Sequence, residues 1–191
     1  MSKLAAGLIA VVLASAAFAA EVVGVKLDDR VRIAPNAPEL VLNGAGVRTR
    51  FVVKVYVGAL YLPEKKTAAA DVLAVAGPKR MMLAMLRDLT AQQLVDALNE
   101  GFAANNPPPD QERYKGQLAE LLAVMNSLGQ AKKGEVIALD YVPDTGTFVL
   151  VDGAAKGKPI PDEGFYRALL RIWLGDKPVD ADLKRGLLGQ G

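Results

Sequence analysis

The chain has 191 residues, 51% of them hydrophobic, with 23 Lys+Arg against 21 Asp+Glu and neither cysteine nor histidine. That length and composition fit one domain with a real core, and they exclude a disordered chain, a collagen-like repeat and a disulfide-dense mini-domain. A formal charge of +2 gives no broad basic footprint for nucleic acid. Without imidazole or thiol there is no Cys/His zinc site, thiolate nucleophile or Ser-His-Asp triad. Function therefore falls to Arg, Lys, Tyr, Ser, Thr, Asn and carboxylates, which suit electrostatic stabilisation or binding.

Residues 1–19, MSKLAAGLIAVVLASAAFA, join a positive start at Lys3 to an apolar stretch, Leu4 to Leu13, and a small-x-small site at Ala17-Phe18-Ala19. This is the pattern of a secretory signal peptide, and it predicts cleavage after Ala19 and a domain over 20–191 that is periplasmic or secreted. The apolar run is short and alanine-rich for a membrane span, so no stable span is expected after cleavage.

Short alternating runs at Val22–Leu27, Arg30–Ile33 and Glu39–Leu42 read as strands, the last ending at Asn43-Gly44-Ala45-Gly46, a turn or bulge signal. Arg50–Leu62 reads as the longest strand. One of its faces is apolar throughout, and the other mixes Arg50, Lys54 and Tyr56 with aliphatics, as expected of a face that meets solvent or lines a polar-tipped cavity. Ala68–Val75 predicts a short helix and Arg80–Leu86 a strand. Thr90-Ala91-Gln92-Gln93 is a capping box, opening a helix with Leu94, Ala97, Leu98 and Phe102 on one face. Asn105 to Pro109 breaks it, and a second helix is expected over Asp110–Leu128. Strands follow at Gly134–Val142, Thr147–Val151 and near Lys156–Ile160. Asp162 then caps a helix that buries Phe165, Leu169, Ile172 and Trp173, and a last capped turn runs from Asp180 to about Leu188. Strands at both ends with helices between them predict an α+β fold, one antiparallel sheet with helices layered on a single face. No Gly-rich fingerprint follows a strand, so no nucleotide is expected.

Arg48 is the polar group of most interest. A guanidinium aimed into an apolar pocket is a strong anion hook with planar, bidentate donors; the alternative is a solvated charge at a strand edge. Tyr56 shares its parity, but in one extended strand the two lie about 26 Å apart and would converge only through a bend or hairpin. Lys54 reads as a surface charge and Tyr61 as a core aromatic. Asp140, Asp144 and Asp152 lack metal-ligand spacing; neither a metal nor another cofactor is expected.

The run Leu42-Asn43-Gly44-Ala45-Gly46-Val47-Arg48, then Lys54 and Gly58-Ala59-Leu60-Tyr61-Leu62, resembles the chalcone isomerase superfamily, and most of all its bacterial chalcone-isomerase-like branch. Arg87 to Gln93, Pro143 to Thr147 and the helix from Gly164 to Gly175 match in order, so the resemblance spans roughly residues 22–188. It implies an open-faced β-sandwich with a ligand cleft between sheet and helices. Plant members include enzymes that close chalcones to flavanones and non-catalytic fatty-acid-binding proteins, and in both an arginine matching Arg48 faces an anionic group.

The enzymes' catalytic threonine falls at Tyr56 here, their helix tyrosine at Leu94, their substrate-binding asparagine near Gly101, and their late serine or threonine at Tyr166. Those hydroxyls and amides carry the polarisation of the enone, often the largest catalytic contribution. The resemblance thus implies a non-catalytic exported protein that binds a small apolar anion such as a fatty acid. Arg48 would hold the carboxylate, with Tyr56, Leu94 and Tyr166 as further ligand-binding residues and Leu98, Phe102, Leu118 and Leu122 lining the cleft. The alternative is a chalcone isomerase-type intramolecular lyase, with Arg48 stabilising a phenolate or enolate and a tyrosine as proton donor. A third reading is a scaffold whose cleft is filled by Leu94, Tyr56 and Tyr166. The expected partner is a small molecule, not nucleic acid.

Overall fold

Residues 20–191 are described by a computed structural model; the segment read as a signal peptide lies outside them. In chain order the elements are strands β1 (Ala20–Val22), β2 (Val25–Leu27), β3 (Arg30–Val31), β4 (Leu40–Arg50) and β5 (Val53–Leu62), then helix α1 (Ala69–Ala74) and strands β6 (Lys79–Met85) and β7 (Leu89–Thr90). The helices α2 (Ala91–Asn105), α3 (Pro108–Arg113) and α4 (Lys115–Ser127) follow. After them come β8 (Gln130–Ala131), β9 (Val136–Val142), β10 (Gly146–Val151), β11 (Ala154–Ile160), α5 (Glu163–Leu174) and α6 (Ala181–Leu187).

Seven strands form one antiparallel sheet in the order β11-β10-β9-β6-β5-β4-β3. The helical segment α2–α4 is carried in the connection from β6 to β9, so strands from both ends of the chain meet at the centre of the sheet. Alternation along β5 divides the molecule into two cores. Tyr56, Leu60 and Leu62 face the large core shared with the helices, whereas Val57, Ala59 and Tyr61 face a smaller one with Leu27 and Leu40. The β1–β2 hairpin packs on that second face through Val22 and Val25.

The order of elements largely follows the sequence reading, but the strand expected over Val22–Leu27 is a hairpin that reverses at Val23-Gly24, and the turn expected at Asn43 to Gly46 lies elsewhere. Strand β4 does not stop at the glycine-rich run. It continues to Arg50, and the chain reverses at Phe51-Val52, with Arg50 paired to Val53. The glycines there serve packing rather than turning. A Cβ on Gly44 would stand 2.2 Å from the Gly186 carbonyl oxygen, and one on Gly186 would stand 2.5 Å from that of Ala45. Helix α6 lies backbone to backbone on β4, which only glycine permits. Asn43 is the bulged residue between the Leu42–Tyr61 and Gly44–Leu60 pairs. Its buried amide donates to the Leu187 carbonyl at 2.7 Å and accepts from the Lys66 backbone N–H at 2.6 Å, tying β4 to α6 and to the loop beyond β5.

The Thr90 capping box forms as its sequence predicts, with Thr90 Oγ1 accepting from the Gln93 N–H and Gln93 Oε1 accepting from the Thr90 N–H. The helix expected over Asp110–Leu128 is instead two, because Pro108 starts α3 two residues early and Tyr114 ends it. At that break the Tyr114 ring packs on Phe165 of α5, centroids 6.2 Å apart. Asp162 caps α5. Asp180 caps α6 with one carboxylate oxygen and accepts the Thr49 N–H at 2.8 Å with the other, pinning the end of β4.

Candidate functional site

Because the reversal falls at Phe51-Val52, Arg48 and Tyr56 are direct cross-strand partners. The hairpin brings together what a single strand would hold far apart. After that pair the register slips, so that Thr49 faces Lys54, and Val55 is the extra residue. This bulge turns both Val55 and Tyr56 toward the helices. The Arg48 guanidinium carbon lies 5.6 Å from the centre of the Tyr56 ring, within cation–π reach.

Tyr56 is buried, and its hydroxyl accepts a hydrogen bond of 2.8 Å from the indole N–H of Trp173 on α5. Burial raises the pKa of that hydroxyl; the Arg48 charge and the Trp173 donor draw it partly back. The group stays protonated at neutral pH, so it can donate but is a poor base. Arg48 is partly buried, and among the described residues its Nε is buried without a hydrogen-bond partner. A charged donor left in that state costs more than a neutral one, because it has given up water for nothing.

Beside Arg48 and Tyr56 is a recess of about 30 Å³ bordered by Leu83, Leu94, Leu98 and Trp173. That is the volume of roughly one water molecule, too small for an alkyl chain. Two wider grooves open from the same arginine. One, of about 340 Å³, runs along Gly101 of α2 to Lys177 and Val179. The other, of about 520 Å³, runs out to the hairpin tip past Val55, Val53 and Phe51, with Leu89 and Arg87 beside it. Asp96 and Glu100 of α2 face this second groove.

Of the four ligand-binding candidates, Arg48, Tyr56 and Leu94 meet at the recess. Tyr166 does not: it is fully buried under the central strands, donates to the Leu139 carbonyl at 2.8 Å and packs on Tyr141 with centroids 5.5 Å apart. Burial drives its pKa well above that of an ordinary tyrosine. Leu98 borders the recess, whereas Phe102 packs on Phe165 and Leu118 and Leu122 lie against the large core. The residue the sequence reading missed is Trp173, which it placed only in the core. Its signal was available, since a buried indole N–H must find an acceptor. At Gly101 a Cβ would stand 2.8 Å from Ile172 Cγ2, so α2 and α5 are too close there for the asparagine of the plant enzymes.

An antiparallel sheet with helices on one face and an arginine at the mouth of the intervening recess defines an open-faced sandwich with a cationic throat. The chain belongs to the chalcone isomerase-like family, whose model matches residues 19–189. Among solved structures, a fatty-acid binding protein of Arabidopsis thaliana shares the fold with a TM-score of 0.66. The match covers 86% of this chain and 92% of that one at 14% sequence identity. Comparison with curated proteins returns no match. No helix among the described residues is long and apolar enough to cross a membrane.

Proposed function

We propose that the protein is an exported, non-catalytic binder of a small apolar anion such as a fatty acid, with the carboxylate held by Arg48. The observation that carries this reading is the buried, unpartnered Nε of Arg48 at the junction of the recess and both grooves. A carboxylate there would accept from a cation that no carboxylate among the described residues pairs with, which is the usual way a buried guanidinium is satisfied. The shared fold with a protein described as fatty-acid binding supports the same reading.

The recess cannot take the tail, so the tail would run outward along Val55, Val53 and Phe51 in the wider groove, whose volume suits a small ligand. Asp96 and Glu100 on the far wall disfavour a second negative charge and select a monoanion with an apolar tail. Export rests on the signal-peptide pattern of residues 1–19. The test is native mass spectrometry of protein purified from cells, followed by organic extraction, with Arg48→Ala alongside. A fatty acid that accompanies the native protein and is absent from the variant is expected. A bare mass that stays bare after incubation with fatty acids and phenolic anions would refute the proposal.

A further inference from the structure

The β4–β5 loop breaks two rules at one place. It contains only Phe51 and Val52, since Arg50 pairs with Val53. Loops of two residues favour glycine, asparagine or aspartate, because at least one position takes a positive φ. Here that position is Phe51, at φ 57°, a conformation rare for any bulky side chain. Both residues are also almost bare, Phe51 at 93% exposure and Val52 at 92%, with Val53 exposed beside them. The only other exposed large apolar side chain among the described residues is Val23. Where local preference and burial fail together, a functional demand is the expected cause.

The hairpin itself carries charge of one sign, and the carboxylate beside it, Asp180, is engaged by the Thr49 N–H and caps α6. From Val47 to Val55 the chain reads VRTRFVVKV, three cations and no carboxylate. Arg50 and Lys54 are exposed, and neither is in an ion pair among the described residues. Arg87 adds a further cation beside the adjoining groove, while Asp96 and Glu100 belong to its α2 wall and not to the tip.

We propose that this hairpin tip docks the protein on an anionic membrane surface, with Phe51 and Val52 entering the interface and Arg50 and Lys54 meeting headgroup phosphates. An apolar point ringed by cations is the chemistry of interfacial lipid binding. A protein partner fits less well, because two or three side chains fall far short of the roughly 800 Å² per partner that a stable interface buries. Phe51 and Arg48 border the same groove, so docking opens that groove toward the lipid. The inference does not depend on which ligand the groove takes.

The test is flotation of the chain from Ala20, which holds every described strand and helix, with phosphatidylcholine vesicles with and without phosphatidylglycerol. The protein should float with the anionic vesicles and less so as salt rises. Phe51→Ser with Val52→Ser should lower partitioning by roughly ten-fold or more. Arg50→Gln with Lys54→Gln should lower it by about five-fold per charge and flatten the salt dependence. All four residues are exposed, so unchanged circular dichroism and melting are expected of both variants. The proposal fails if the native chain does not float, or if the serine variant floats equally well. It also fails if sedimentation without lipid shows a dimer that the serine variant abolishes, because the tip then serves a second copy.

Discussion

Two arginines on this sheet have opposite fates. Arg80, on β6, forms paired hydrogen bonds of 2.6 Å each with Asp140 directly across on β9. Arg48, on β4, lies over an aromatic ring and has no carboxylate partner among the described ion pairs. Both donors are removed from water in part, but among the described residues only Arg80 is paired with a carboxylate. The first is architecture, because its charge is cancelled where the strands meet. The second is the anion site proposed above, because no carboxylate among the described residues pairs with it.

The sharpest way to break this contrast is Asp140→Ala. It strands Arg80 beneath the sheet, and loss of one partner of a buried pair destabilises by about 3–5 kcal/mol. Because Arg80 retains some exposure, the lower end is expected, read as a fall in the urea midpoint at unchanged slope. Tyr56→Phe is the intermediate case. It leaves the Trp173 N–H without its acceptor and should cost about 1–2 kcal/mol in the same measurement. It should also change the alkaline limb of the stability curve. The folded state holds the Tyr56 proton above the usual tyrosine pKa, so its contribution is complete below about pH 10 and is lost as pH rises through the folded value. The phenylalanine variant lacks that share of the decline, while Tyr61, Tyr141 and Tyr166, also raised by burial, keep theirs. Arg48→Met has the smallest expected effect on stability, under about 1 kcal/mol in either direction, because an uncompensated cation is replaced by an apolar chain of similar reach. A loss as large as that of Asp140→Ala would mean that Arg48 is architecture too.

Most of the architecture was readable from pattern. Period-two runs, the Thr90 box, and the caps at Asp162 and Asp180 are local signals, and local signals place elements well. The site was read less well because one local signal carried another meaning. Glycines 44 and 46 looked like punctuation, yet they make room for α6, a helix that arrives from almost 140 residues later in the chain. The actual reversal at Phe51-Val52 has no turn residue to announce it. The sequence therefore marks Arg48 and Tyr56 as candidates but does not show that they are cross-strand neighbours. Tyr166 was placed near them by resemblance, although helical periodicity could say only that it was buried, not which polar group its hydroxyl would meet. The Trp173 bond to Tyr56 joins residues 117 positions apart, beyond the reach of any spacing rule.

That bond has an experimental consequence. The chain contains a single tryptophan, and it sits against the very tyrosine that underlies Arg48. The protein thus carries its own optical probe at the throat, an indole hydrogen-bonded to the tyrosine over which Arg48 lies. Any anion that settles on Arg48 changes the field at that ring, so occupancy can be followed in the unlabelled protein by intrinsic fluorescence.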